Sequence, residues 1–283
     1  MASRLQVLIS TKGIEGIERI ASLPHPEIPG VQYLVSWQQG DWSMIPESLE
    51  TREDFKIVLD DSVGLSRNRN NALKNAEADW VLISDDDLIY TEQHLKNVLE
   101  AFEKNPGYSI LAFRYESAEY PRKYSSQEFD LKNPPKGYFT VSFEIGLNLE
   151  QIRERLNNEV IPCFNENFGL GAIFGSGEED LFIAGLLKQN LKGKFIPVDI
   201  CEHPGPTTSH KTKTSDGFIR TKGAVMYKLT PLTWPLRMIL YAFRSALDKE
   251  GKINFFRYIA QFLIGVRLAK KNKVFDFKQF SSR

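Results

Sequence analysis

The stretch Trp80-Val-Leu-Ile-Ser-Asp85-Asp86-Asp87 decides how this chain is read. A run fit for a buried strand passes directly into three carboxylates. In an open α/β sheet, the crevice that takes up ligands lies beyond the carboxyl ends of the strands. A strand that ends in acids delivers them to that crevice. Strand periodicity puts Asp85 and Asp87 on one side and turns Asp86 to the other. Two carboxylates held side by side repel unless a cation joins them, and oxygen ligands of this kind suit Mg2+ or Mn2+. Most acidic runs are solvated loops; the abrupt junction with an apolar strand sets this one apart.

The flanking sequence supplies the rest of a sheet. Leu5–Ser10, Val31–Trp37 and Phe55–Leu59 read as strands, Ile14–Leu23 as a helix, and Ser66–Ala76 as a helix with Ser66 at its N-cap. After the acids, a helix over Glu92–Lys104 is stopped by Asn105-Pro106-Gly107, and Tyr108–Tyr115 is the next strand. Strands alternating with helices predict right-handed crossovers and an α/β fold, a mostly parallel sheet flanked by helices. Residues 116–137 read as a polar excursion holding Pro121, Pro134 and Pro135. The pattern then predicts a strand at Tyr138–Ile145, helices at Glu150–Asn158 and Glu178–Gln189, and a strand at Lys194–Cys201. Residues 203–217 have a loop composition, and everything beyond is helical and basic. The expected organisation is an α/β domain over 1–217 and a basic helical extension over 218–283.

Composition narrows the classes. Of 283 residues 42% are hydrophobic and 25% charged, which excludes disorder, collagen and small disulfide scaffolds. Lys plus Arg and Asp plus Glu both total 36, and this zero net charge sets aside nucleic-acid binding through phosphates. The charge is uneven: residues 205–283 carry 16 basic and 4 acidic residues, so the acidic excess lies in the first 204. An acidic part suits cation handling and a basic tail suits an anionic partner. Cys163 and Cys201 are the only cysteines, which fits a reducing compartment, and the N-terminus has no signal-peptide core. The most apolar stretches, Leu232–Leu247 and Phe255–Ala269, are broken by Arg237, Arg244, Arg257 and Arg267. Neither makes the ~18–20 apolar residues of a membrane span. A cytoplasmic protein is expected, soluble or resting peripherally on the inner face of the cell membrane.

Three further segments carry chemistry. In Gly64-Leu-Ser-Arg67-Asn68-Arg69-Asn70, two arginines fall in the first turn of a helix, where the macrodipole is already positive. Arg67 is assigned to a ligand; Arg69 is left open, and local pairing of both with Asp60 and Asp61 is the alternative. In Gly175-Ser-Gly-Glu178-Glu179-Asp180, a tight turn starts a helix with three acids. Ser176 and Glu179 match a capping box, which accounts for Glu179 but not for Asp180. Asp180 is therefore the preferred catalytic carboxylate, with Glu179 beside it. In Cys201-Glu202-His203-Pro-Gly-Pro, the rigid turn fixes His203 at the end of a strand, where imidazole can complete a carboxylate-held metal site. Lys211, Lys213, Arg220 and Lys222 beyond it suit closure over a diphosphate.

In this order the four segments resemble family 2 glycosyltransferases of the GT-A fold, a Rossmann-like nucleotide-binding architecture, from Leu5 to about Arg220. The resemblance makes Asp85–Asp87 the DXD motif, Glu179-Asp180 the acidic base motif, and His203 the histidine after the final strand. It implies a nucleoside-diphosphate sugar donor, Mn2+ or Mg2+, and inversion at the anomeric carbon of a hexose. Asp87, His203 and Asp85 would then hold the metal, Asp85 and Asp86 would face the donor, and Arg67 would touch the nucleobase. Thr11 would line the nucleotide pocket. The family usually has an aspartate after the second strand to read uracil; here Gln38 stands there, so the UDP assignment rests on the resemblance. Asp180 would deprotonate the acceptor hydroxyl. The basic, partly apolar tail suits either docking on the domain itself or peripheral membrane contact, and the latter would favour a lipid-linked or cell-envelope glycan acceptor. The rival readings are a sugar-nucleotide nucleotidyltransferase, whose Gly-rich basic loop Ser10-Thr-Lys-Gly only poorly imitates, a donor-binding protein without catalysis, and a glycosidase.

Overall fold

The computed structural model describes residues 4–156, 160–205, 215–248, 253–272 and 280–281. The four apolar runs of the first third form β1 (Leu5–Lys12), β2 (Val31–Gln38), β3 (Phe55–Asp60) and β4 (Trp80–Asp85). They lie side by side in the order β3-β2-β1-β4, all parallel. Ser10 pairs with Asp85 and Ser36, and Gln38 with Lys12 and Asp60, so the C-terminal ends of four strands finish level. That edge carries the site.

The crossovers are α1 (Gly13–Ser22), a single turn α2 (Glu47–Glu50), α3 (Leu65–Asn75) and α4 (Glu92–Lys104). Alternation along β1 divides the core between the two sheet faces. Val7 and Ile9 meet Ile17 and Ile20 of α1 and Leu95 and Val98 of α4. Leu8 meets Ala72 and Leu73 of α3 on the other face, together with Phe182 and Leu186.

The sheet continues through β7 (Ile145–Asn148), β5 (Ile110–Glu116), β9 (Gly193–Glu202) and β6 (Phe129–Asp130) to eight strands. Here it is mixed: β7 runs antiparallel to β4 and β5, β9 parallel to β5, and β6 antiparallel to β9. A separate ribbon pairs β8 (Val160–Ile161) with β10 (Phe280–Ser281). The predicted α/β sheet with helices on both faces is thus found, and its second half is mixed.

Two local expectations are corrected. Tyr138–Ile145 is not a strand. The carboxylate of Glu144 accepts from the Val141 N–H and closes a 3-10 turn over Ser142–Glu144, so the strand begins only at Ile145. Ser66 does not cap α3: the helix starts at Leu65 after Gly64, whose φ of 116° suits glycine, and the Ser66 hydroxyl donates to the Phe168 carbonyl. The predicted helix after Leu149 ends at Arg155 as α5 (Leu149–Arg155); its predicted last residues extend outside the described ones.

Helix α6 (Glu178–Lys188) follows, and α7 (Asp216–Leu229), α8 (Trp234–Leu247) and α9 (Phe255–Lys271) form the C-terminal layer. Glycines let α7 and α9 touch backbone to backbone. A Cβ on Gly265 would sit 1.9 Å from the Arg220 carbonyl oxygen, and one on Gly223 2.2 Å from that of Phe262. Ala224 and Val225 of α7 and Ala269 of α9 pack with Phe168, Phe174 and Leu181, which seats the layer against the start of α6.

Candidate active site

The level strand ends open onto a cleft of about 480 Å³, closed on its far side by the turn before β7, the start of α6 and His203. At its floor the three carboxylates that end β4 part company. Asp85 Oδ1 accepts from Arg69 Nη2 at 2.7 Å. Asp86 accepts from the Thr11 hydroxyl at 2.5 Å and from Arg19 Nη1 at 2.7 Å. Asp87 Oδ2 lies 3.7 Å from His203 Nε2, while its Oδ1 is buried without a hydrogen-bond partner. Burial, and the charge of Asp85, push the Asp87 carboxyl above its ordinary range, and the imidazole opposes them only in part.

Arg69 organises the cleft. Its side chain is 2% exposed and donates to Asp85, to Glu178 at 2.9 Å and to the Ser142 hydroxyl at 2.7 Å. Burial works against the charge, but Asp85 and Glu178 outweigh it and hold the guanidinium protonated more firmly than usual. Arg69 thus ties the end of β4 to the start of α6. Helix α3 presents it inward along with Ala72 and Leu73, three and four residues on, and sends Arg67 to the outer face. Arg67 pairs with Glu166 at 3.2 Å, is half exposed and does not line the cleft. Neither arginine turns back to Asp60 or Asp61: Asp60 accepts from Gln38 and Ser62 instead. Of the two arginines, Arg69 lines the cleft and Arg67 does not.

At the start of α6 the N-cap is Gly177, with φ 88° and no side-chain cap, so the Ser176–Glu179 capping box does not form. Gly177 is pressed on by α7, where a Cβ would meet Val225 at 2.7 Å. Three acids follow with three fates. Glu178 is buried against Arg69. Glu179 lines the cleft with a buried, unpartnered Oε2, and burial, then the charges of Glu178 and Asp180, raise its carboxyl well above the ordinary range. Asp180 is exposed and outside the cleft lining, although the crowding of surrounding protein and Glu178 still lift it to about 6. Glu179 therefore lines the cleft and Asp180 does not, and the capping box that accounted for Glu179 is absent.

Gln38, at the end of β2, is buried and lines the cleft. Its Nε2 donates to Asp60, Ser62 and the Gly64 carbonyl, which leaves the amide oxygen able to accept. His203 is buried, stacked on Phe143 with ring centroids 5.3 Å apart, and its Nδ1 accepts from the Gly205 N–H. Of the basic loop, Lys211 and Lys213 lie outside the described residues. Arg220 and Lys222 belong to α7 and face the helical layer, bonded to Gln261 and set over the Tyr241 ring respectively.

Thr11, Gln38, Asp85, Asp86, Asp87, Glu179 and His203 therefore line one cleft, with Arg69, whose role the sequence left open, and Glu178, which it did not single out. Among the described residues no group of three or more acidic, histidine or cysteine side chains is arranged to hold an ion by itself. The orphaned Asp87 oxygen beside an imidazole nevertheless fits a hard divalent cation that takes few protein ligands and completes its shell with diphosphate oxygens and water. A cation held by His203 Nε2 would need the ring proton on Nδ1, which could then no longer accept from the Gly205 N–H.

Residues 40–164 match the model of Glycosyl transferase family 2. No curated protein is matched by the sequence. Among solved structures, residues 1–349 of TarS from S. aureus superpose with a TM-score of 0.53 at 15% identity, over 97% of this chain and 75% of that one. The same TarS fragment in complex with UDP-GlcNAc gives 0.55 at 17%, over 95% and 74%. The mannosyltransferase PcManGT from Pyrobaculum calidifontis, in complex with GDP-Man and Mn2+, gives 0.51 at 12%, over 96% and 74%. At such identities the likeness is one of fold, and the family rests on the matched segment. Residues 40–164 thus carry a Glycosyl transferase family 2 segment, set in a chain whose fold is that of these glycosyltransferases.

Proposed function

We propose that this enzyme transfers a hexose from a UDP-linked donor to a hydroxyl of a glycan or lipid-linked acceptor, with inversion, and that Glu179 is the base. One observation carries the reading. Two carboxylates that no arginine pairs with face the same cleft from different walls, each with a buried, unpartnered oxygen: Asp87 at the end of β4 and Glu179 at the start of α6, beside Glu178, whose own unpartnered Oε2 belongs to a carboxylate held by Arg69. The first suits a cation on the donor's diphosphate, the second a proton from the acceptor. Attack from the Glu179 side with departure toward Asp87 is a direct displacement, which inverts the anomeric carbon.

Asp87, His203 and Asp85 are the residues that would hold Mn2+ or Mg2+. When bound, such an ion neutralises charge growing on the departing diphosphate. Gln38 accepts the N3–H of uracil through its amide oxygen, taking over the task of the missing aspartate. Thr11 holds Asp86 in place, so both shape the nucleotide wall. Glu178 is kept by Arg69, while burial and the charges of Glu178 and Asp180 raise the proton affinity of Glu179. The division of labour at residue 217 follows: the first part performs transfer, and the second supports α6 and the acceptor approach.

The test compares two variants. Glu179→Gln should bind UDP and Mn2+ in calorimetry as the parent does, yet release UDP from UDP-sugars at least about 100-fold more slowly, the usual range for a lost general base. Asp180→Asn should keep most of that activity. In the parent, the acid limb of kcat/KM should have its midpoint above the ordinary glutamate value of 4.5, because Glu179 must be ionised to act. Full turnover by Glu179→Gln would discard the assignment.

A further inference from the structure

Helix α8 carries apolar side chains on two opposite faces. Met238 and Ala242 enter the core shared with α7 and α9. Opposite them, Leu236, Ile239, Leu240, Phe243 and Leu247 are 42–78% exposed. At 100° per residue these five occupy an arc of about 100°, a continuous stripe along the helix. Leu232 and Phe256, 92% and 76% exposed, lengthen it at either end. The Phe243 ring reaches Phe256 through Phe255, with centroids 4.9 and 5.4 Å apart. Scattered exposed leucines need no explanation, but a contiguous stripe of this size does.

Charge identifies the occupant. Arg237 and Arg244, seven residues apart and both exposed, follow one border of the stripe. Over residues 205–283 the basic residues outnumber the acidic ones 16 to 4. Among the described residues no helix is long and apolar enough to cross a membrane. A helix with a leucine and phenylalanine face, bordered by arginines and set in a cationic layer, fits the plane where acyl chains meet anionic headgroups.

We propose that the outer face of α8, with Leu232 and Phe256, docks on an anionic lipid surface. The docking stands independently of the transfer reading. If that reading holds as well, the contact brings the cleft to a lipid-borne acceptor, because α7 joins the docked layer to Gly177 and α6.

The test is co-sedimentation of the full chain with vesicles of phosphatidylcholine alone and of phosphatidylcholine mixed with phosphatidylglycerol. Binding to the mixed vesicles, weakened by salt and weak on the neutral ones, is expected. Leu236→Asp with Leu240→Asp should lower it by about tenfold or more, since each side chain withdraws an apolar group worth at least that factor. Both positions face solvent, so the thermal midpoint and UDP binding should stay as in the parent. Arg237→Glu with Arg244→Glu should weaken binding only to the anionic vesicles. Absence of binding by the parent, or binding indifferent to the aspartates, would overturn the proposal. So would a dimer, seen in sedimentation and split by the aspartates, that ignores vesicles: the face would then join two copies of the chain.

Discussion

Replacing Arg69 with methionine removes the buried cation on which both walls of the cleft depend. The guanidinium, 2% exposed, gives one bond to Glu178 and two to Asp85 and Ser142. Glu178, 7% exposed, would be left a buried charge without a counter-ion, whereas Asp85, at 28%, would recover part of its hydration. Breaking a buried pair from one side costs about 3–5 kcal/mol, a large share of the roughly 5–15 kcal/mol that holds a domain folded. Replacing both members is far milder, because no charge is stranded. Arg69→Met with Glu178→Gln should therefore be more stable than Arg69→Met alone. Urea unfolding of the four proteins should give a coupling energy of about 2–3 kcal/mol, the upper part of the range for contacting residues. The double variant, though folded, should bind UDP with Mn2+ weakly, since Asp85 has lost the group that aims it. A coupling energy under about 0.5 kcal/mol would refute the claim that Arg69 and Glu178 form one electrostatic unit.

Two other perturbations probe the walls. Burial raises the carboxyl of Glu144 to about 7 despite Arg122 and Tyr124. A carboxyl that binds its proton more tightly when folded stabilises the fold fully below its ordinary value and progressively less as pH rises through about 7. The thermal midpoint should fall between pH 5 and 8, by up to about 3 kcal/mol of stability, and Glu144→Gln should flatten that slope; an unchanged slope would rule the explanation out. A Cβ at position 16 would lie 2.0 Å from Thr11 Oγ1 and 3.0 Å from Asp86 Oδ2. Gly16→Ala should cost about 1–3 kcal/mol by overpacking and weaken UDP binding as the Thr11–Asp86 bond opens; calorimetry that matches the parent would count against a nucleotide wall built from that pair.

The parallel half of the sheet was legible because its strands are predominantly apolar runs closed by polar turns, as from Leu5 and Val31. The strand at Ile145 was not, because it follows a turn that Glu144 makes by burying a carboxylate, and sequence shows such a residue only as polar. At the site, Asp85–Asp87 announced themselves by their junction with a strand. The choice between Arg67 and Arg69 was available from helix spacing, since Arg69 precedes the core residues Ala72 and Leu73 by three and four positions. Glu179 likewise stands three and seven residues before the buried Phe182 and Leu186, and Asp180 does not. Capping chemistry drew attention away from that spacing. Whether Ser176 caps depends on how α7 presses on Gly177, a contact between residues almost fifty positions apart.

Gathering Asp85, Asp86, Asp87, Glu178 and Glu179 around one cleft is electrostatically costly, and the way the cost is relieved locates the chemistry. Arg19 compensates Asp86 and Arg69 compensates Asp85 and Glu178, both through short bonds. Glu178 keeps an oxygen without a donor, but its carboxylate is paired with Arg69. The acids without an arginine partner are Asp87, whose neighbour His203 stands off at 3.7 Å, and Glu179. Both acids have raised proton affinity, so the folded protein is short of positive charge at two separate points. A diphosphate-bound cation supplies it at the first and an acceptor's proton at the second. A cleft built only for stability would have spread its arginines over all five acids; this one withholds them from the two that a transfer reaction has to use.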